Sequence, residues 1–196
     1  MRYDRFSRIL HWGIAVGVSV QLVSEQLMVR RLENKNPDIL QSVTFIAHEY
    51  MGFIVLIIVG IRFTLMLDNP DKGLYHMFPW LTSPGRKQLM IELKNEIPVW
   101  LHGKLKRPEE ADCIARSVHG LGLILAFGLG LTGMLLFIGT QPDGSTHGPI
   151  EAGRQIHDVL GYLMWLYIIG HVCMALFHQR LGHKVLQGIF SLKDQE

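Results

Sequence analysis

The chain has 196 residues, of which 48% are hydrophobic and 18% charged, with a formal net charge of +2. Soluble domains carry roughly 25% charged residues, so the composition points away from an ordinary soluble domain. The small net charge specifies no partner, and no nucleic-acid partner is expected. Cys113 and Cys173 are the only cysteines, with no CxxC, no zinc-type spacing and no CxxCH for covalent heme attachment, so a disulfide framework is not expected.

The chain opens on "MRYDRFSR", which looks like the charged start of a signal peptide. That reading fails: no small-residue cleavage site follows, the apolar segment is too long, and it carries His11, Trp12 and Gln21. The segment is instead the first of four stretches near 9–29, 44–67, 117–139 and 155–178. Each meets the roughly 20 apolar residues needed to cross a bilayer. Their apolar residues run all the way round, where a large soluble helical core would show a wet face on each helix. The expected fold is therefore all-α: an integral membrane four-helix bundle, a single domain over 1–196, with a long cytoplasmic connection between helices 2 and 3.

That connection, 68–116, contains the breakers "LDNPDKG" and "TSPG". Within it "RKQLMIELKNEI" alternates charge and apolarity at helical spacing until Pro98 ends the pattern. Two readings stand open: an amphipathic helix on the membrane or a docking surface, and a solvated connector. Residues 140–154, "TQPDGSTHGPIEAGR", form a short turn-rich loop on the other side. Basic residues set the orientation. Arg2, Arg5 and Arg8 precede the first span, Lys87, Lys94 and Arg116 stand for a larger set in the long connection, and Arg180, Lys184 and Lys193 lie in the tail. This excess puts both termini in the cytoplasm, against a smaller opposite group of Arg30, Arg31, Lys35 and Arg154.

Ten histidines are many for a chain of this length. Taken singly, each is first a hydrogen-bonded core or interface residue; as a set they can be compared by depth. His157 and His171 are 14 residues apart in the fourth span, roughly four turns and about 21 Å along the axis, so they share a face. His48, near the start of the second span, is level with His157. His11, near the start of the first, is level with His171. Two stacked pairs of imidazoles, His48 with His157 and His11 with His171, are what two bis-histidine hemes about 20 Å apart require. Gly52 follows His48 by one turn and Gly161 follows His157 likewise, leaving space for a flat ring. Arg62 lies 14 residues after His48, at the depth of the inner pair, where a heme propionate is one partner and snorkelling to the surface the alternative. HExxH zinc chemistry is ruled out, because "HEYMG" lacks the second histidine.

"RFSRILHW", "HEYMGF" with Arg62, and "HDVLGYLMWLYIIGH" together give the chain a resemblance over nearly its whole length. It resembles the bacterial four-helix di-heme cytochrome b group: prokaryotic cytochrome b561, the membrane cytochrome b of nickel–iron hydrogenases, and the gamma subunit of respiratory formate dehydrogenase. The resemblance implies non-covalent heme b, with the ligand pairs His11–His171 and His48–His157. It also implies electron transfer between a redox partner and quinone in the bacterial inner membrane, and a quinone site near the inner heme. His119 and His178 are the candidates there, headgroup-facing histidines being the plain alternative. The long connection looks more like the relatives that serve as subunits of a respiratory oxidoreductase, making this an electron-transfer subunit. The competing readings are a stand-alone superoxide:quinone oxidoreductase with a basic outer funnel, and a heme-free transporter or scaffold.

Overall fold

In a computed structural model, the described residues are 5–28, 38–68, 70, 71, 73–104 and 112–183. Arg2, Arg30, Arg31, Lys35, Lys184 and Lys193 of the orientation argument lie outside them. Six α-helices follow in chain order: α1 (Arg5–Leu27), α2 (Ile39–Asp68), α3 (Leu74–Met77), α4 (Ser83–Leu101), α5 (Asp112–Gly139) and α6 (Pro149–Arg180), with a 3-10 turn at Pro79–Leu81. No strand occurs among the described residues. α1, α2, α5 and α6 are long and apolar enough to cross a membrane, and the protein is an all-helical multi-pass membrane protein.

The long helices extend past the apolar spans because their ends are set by polar chemistry that hydropathy does not register. Asp38 and Gln41 form a reciprocal cap on α2: the Gln41 N–H donates to Asp38 Oδ1 at 2.7 Å, and the Asp38 N–H donates to Gln41 Oε1 at 3.2 Å. α6 begins at Pro149, inside the expected outer loop. Proline suits a first helical position, and Glu151 in that first turn pairs with Arg154 at 2.5 Å and also accepts a hydrogen bond from Thr146. Before it, Asp143 accepts hydrogen bonds from the Ser145 N–H at 2.9 Å and the Ser145 hydroxyl at 2.7 Å. These bonds hold its carboxyl below the usual carboxylate range. α6 closes on Gly182 at φ +80°, with the His183 N–H donating to the His178 carbonyl at 3.1 Å.

α4 corrects one expectation. The helix runs through Pro98 to Leu101. Proline deletes only one backbone donor, and here it falls in the last turn, where His102 Nδ1 donates to the Pro98 carbonyl at 2.7 Å. At the other end Thr82 Oγ1 accepts the Gly85 N–H at 3.1 Å, and Pro84 lies in the first turn.

The chain forms two compact units. The first comprises residues 1–9, 62–123 and 167–196. Its interior holds Met66, Met77, Phe78, Glu96 and Cys113, and Phe63 stacks on Phe78 with centroids 6.0 Å apart. Here the connector packs on α5: Glu92 Oε2 accepts the Ile114 N–H at 3.1 Å, satisfying an orphan donor at the helix start. The second unit comprises 10–61 and 124–166, with Val18, Leu22, Val55, Val59 and Met164 buried.

Two glycines separate rigid from yielding contacts. A Cβ on Gly120 would lie 2.6 Å from the Met77 carbonyl oxygen and 2.9 Å from Phe78 Cδ1, whereas one on Gly153 would lie 2.6 Å from Leu135 Cδ2. A backbone oxygen cannot move aside; a leucine methyl can. Overpacking costs about 1–3 kcal/mol, and alanine returns about 1 kcal/mol of helix propensity. Gly120→Ala should lower the melting temperature in detergent clearly, and Gly153→Ala should leave it nearly unchanged. Equal shifts would show that the connector yields at Met77.

Candidate functional site

In the second unit α2 carries His48 and α6 carries His157, with ring centroids 6.3 Å apart and planes at 75°. Both rings are half-buried, and each is anchored through Nδ1. His48 Nδ1 lies 3.1 Å from Ser24 Oγ and 3.2 Å from the Gln21 carbonyl oxygen. The single Ser24 hydroxyl proton is directed at that same carbonyl, at 3.0 Å. Nδ1 therefore carries the proton and donates, and Nε2 keeps its lone pair. His157 obeys the same logic. Thr132 donates its hydroxyl proton to the Gly128 carbonyl at 2.7 Å, so at 2.8 Å from His157 Nδ1 its oxygen can only accept.

Two imidazoles held with the proton on Nδ1 have the chemistry to offer Nε2 to a single metal. Ligation on opposite sides of one metal, at about 2 Å each, places ring centroids roughly 6 Å apart, which the observed separation fits. The hydrogen bonds on the far nitrogens fix the ring orientation that such ligands need.

Local sequence explains why α1 and α5 come so near. Gln21 Nε2 donates to the His48 carbonyl at 2.7 Å, tying α1 to α2. Gly133 allows α5 to approach the His157 ring, where a Cβ would meet Cε1 at 3.3 Å. The glycines one turn after each histidine differ. A Cβ on Gly52 would lie 3.3 Å from Gln21 Nε2, so the expected space at that point holds an amide; a Cβ on Gly161 would have open space around it among the described residues. A flat macrocycle needs an open flank of the second kind.

In the first unit His171 on α6 stacks on Tyr167 one turn before it, with centroids 5.5 Å apart and planes at 16°. His119 on α5 meets the His171 ring edge-on at 5.2 Å. His119 Nδ1 donates to the Ala115 carbonyl at 2.7 Å, so its proton sits on Nδ1 as well. Arg62 donates to Ser7 Oγ at 3.1 Å. His178 Nδ1 lies 2.9 Å from His183 Nδ1, so one of those rings donates to the other. His11 lies on α1 among the residues of the second unit. Of the remaining histidines, His76 sits in α3 beside Arg116 at 2.9 Å, and His102 caps α4.

Ser24, Thr132 and Tyr167 were not singled out in the sequence. Their signal was available in principle: a hydroxyl within an apolar span needs a partner, and Tyr167 precedes His171 at the i, i+4 spacing of one helix face.

The family model for prokaryotic cytochrome b561 matches residues 2–192. The chain belongs to this family. It is thus a membrane b-type cytochrome, carrying electrons on heme b. No curated protein and no solved structure gave a significant match.

Thr132→Val removes the acceptor of His157 Nδ1–H at nearly constant volume. A buried donor left unsatisfied costs about 1–3 kcal/mol. The variant should melt earlier and retain less heme per chain than the unaltered cytochrome. Unchanged values of both would show that the hydroxyl does not hold the ring.

Proposed function

We propose that the chain holds two hemes b, one between His48 and His157 and one between His11 and His171, and passes electrons between a redox partner and quinone. It does so as the cytochrome b subunit of a respiratory oxidoreductase, in the bacterial inner membrane with both termini cytoplasmic. The observation that carries this reading is the His48–His157 pair: two rings held as Nδ1–H tautomers, at a separation suited to one metal between them.

Bound heme supplies reversible one-electron exchange. The protein's own residues do the rest. His48 with His157, and His11 with His171, would hold the two hemes, and ligation by two histidines would suit electron transfer. Ser24, Gln21 and Thr132 orient the rings. Gly161 leaves the flank open, and Gly52 lets Gln21 reach the His48 carbonyl. Arg62, within hydrogen-bond reach of Ser7, supplies a cation for a propionate of the inner group. Quinone exchange also moves protons. His119 and His178 are the groups placed to hold them, each on a helix of the unit that contains His171.

A basic outer funnel would favour the stand-alone superoxide reading, and of its four candidate residues, Arg30, Arg31, Lys35 and Arg154, only Arg154 lies among the described residues. That guanidinium pairs with Glu151 at 2.5 Å and with Asp158 at 3.4 Å, so its charge is spent within α6 and adds little attraction for an anion. This favours the subunit reading.

Heme extraction and a reduced-minus-oxidised spectrum of the purified chain should give two hemes b per chain. His48→Ala and His157→Ala should each halve the heme content and remove the same spectral component; His11→Ala and His171→Ala should remove the other. Full heme content in His48→Ala would break the pairing. Co-purification from native membranes separates the roles: a bound dehydrogenase is expected, while isolated cytochrome that reduces quinone with superoxide would establish the competing activity.

A further inference from the structure

We propose that the outward face of α4 is a binding surface for anionic phospholipid, so that the connector lies on the bilayer as an interfacial helix. This inference concerns lipid recognition and stands apart from the heme and quinone assignments.

The argument starts from how α4 sorts its charges. Along the inward side Glu92 accepts the Ile114 N–H at 3.1 Å, and Glu96 is only 2% exposed. Both carboxylates of the helix are therefore turned to the protein. All three cations, Arg86, Lys87 and Lys94, are exposed. The large apolar side chains Met90, Ile97 and Leu101 recur at the same helical spacing as those cations, with exposures of 55%, 46% and 82%. The outward face thus combines apolar surface with a net positive charge and carries no carboxylate.

That combination selects its partner. The core of a protein–protein interface is depleted of lysine and of charge generally. Lysines beside exposed apolar residues suit a headgroup layer, where the stems lie along acyl chains and the ammonium groups meet phosphate. Anionic lipid supplies the complementary charge. The chain also confines α4 to this setting, because the flanking helices, α2 ending at Asp68 and α5 beginning at Asp112, are both long and apolar enough to cross the membrane. Trp80 and Trp100, near the two ends of the segment, are half-buried. Tryptophan is the residue enriched at membrane–water boundaries.

The full chain can be reconstituted in nanodiscs of phosphatidylcholine alone or of phosphatidylcholine mixed with phosphatidylglycerol. Amide hydrogen exchange is then followed over residues 83–101, with α5 as the internal control. Exchange of α4 should slow several-fold in the anionic discs, and added salt should reverse the slowing. The double variant Lys87→Gln/Lys94→Gln should lose this dependence on lipid charge while α5 exchange stays unchanged. Met90→Gln/Ile97→Gln should exchange faster in both lipids. Equal α4 exchange in the two lipids, or a lipid-charge dependence that survives the lysine variant, overturns the proposal. Slowing that instead follows protein concentration in lipid-free micelles assigns the face to a second protein chain and overturns it too.

Discussion

An imidazole N–H inside an apolar bilayer has no water to donate to, and nearly every backbone carbonyl around it is already engaged within a helix. The arrangement at His48 and His157 follows from that shortage. Each Nδ1–H is met by an oxygen that can accept a second bond: the Gln21 carbonyl with Ser24 Oγ for His48, and Thr132 Oγ1 for His157. In both cases the hydroxyl's own proton is already committed to a backbone carbonyl, so the hydroxyl cannot compete for the imidazole lone pair. One constraint, full satisfaction of polar groups away from water, fixes the tautomer, and the tautomer decides which nitrogen is left for a metal.

Satisfaction of this kind requires close helices, and small residues provide the closeness. α5 approaches the His157 ring at Gly133, and α2 admits Gln21 at Gly52. Gly161 works in the opposite sense, since no described residue fills the place its side chain would take. Glycines at the same offset from their histidines therefore have different physical roles. One admits a neighbouring helix; the other leaves open space one turn after its histidine among the described residues.

The four long helices and the common level of His48 and His157 were legible in the sequence because hydropathy and axial rise are properties of single segments. His48 and His157 could be matched by arithmetic alone. Azimuth was not legible. That His119 faces His171, or that Gln21 fills the flank at Gly52, depends on how each helix is rotated about its axis, and counting residues does not give that rotation between helices. Helix ends escaped for another reason. The start of α6 is set by Pro149, Glu151 and Arg154, and the end of α4 lies past Pro98, so both boundaries lie where hydropathy is uninformative. Ser24 and Thr132 look like tolerated small residues until their partners are known.

The connector shows what a charge pattern leaves open. Read along the sequence, α4 alternates charge and apolarity, which fits both a helix on the membrane or a docking surface and a solvated connector. In three dimensions its two carboxylates face inward. One satisfies the start of α5 through the Ile114 N–H, and Cys113 Sγ reaches the Gly85 carbonyl at 3.9 Å from the same helix start. α4 is thereby attached to the first turn of the helix that carries His119, five residues beyond Ile114. Acids used in this way cannot neutralise the lysines on the far side, so the anchoring that holds the connector to the bundle is also what leaves its outer face cationic.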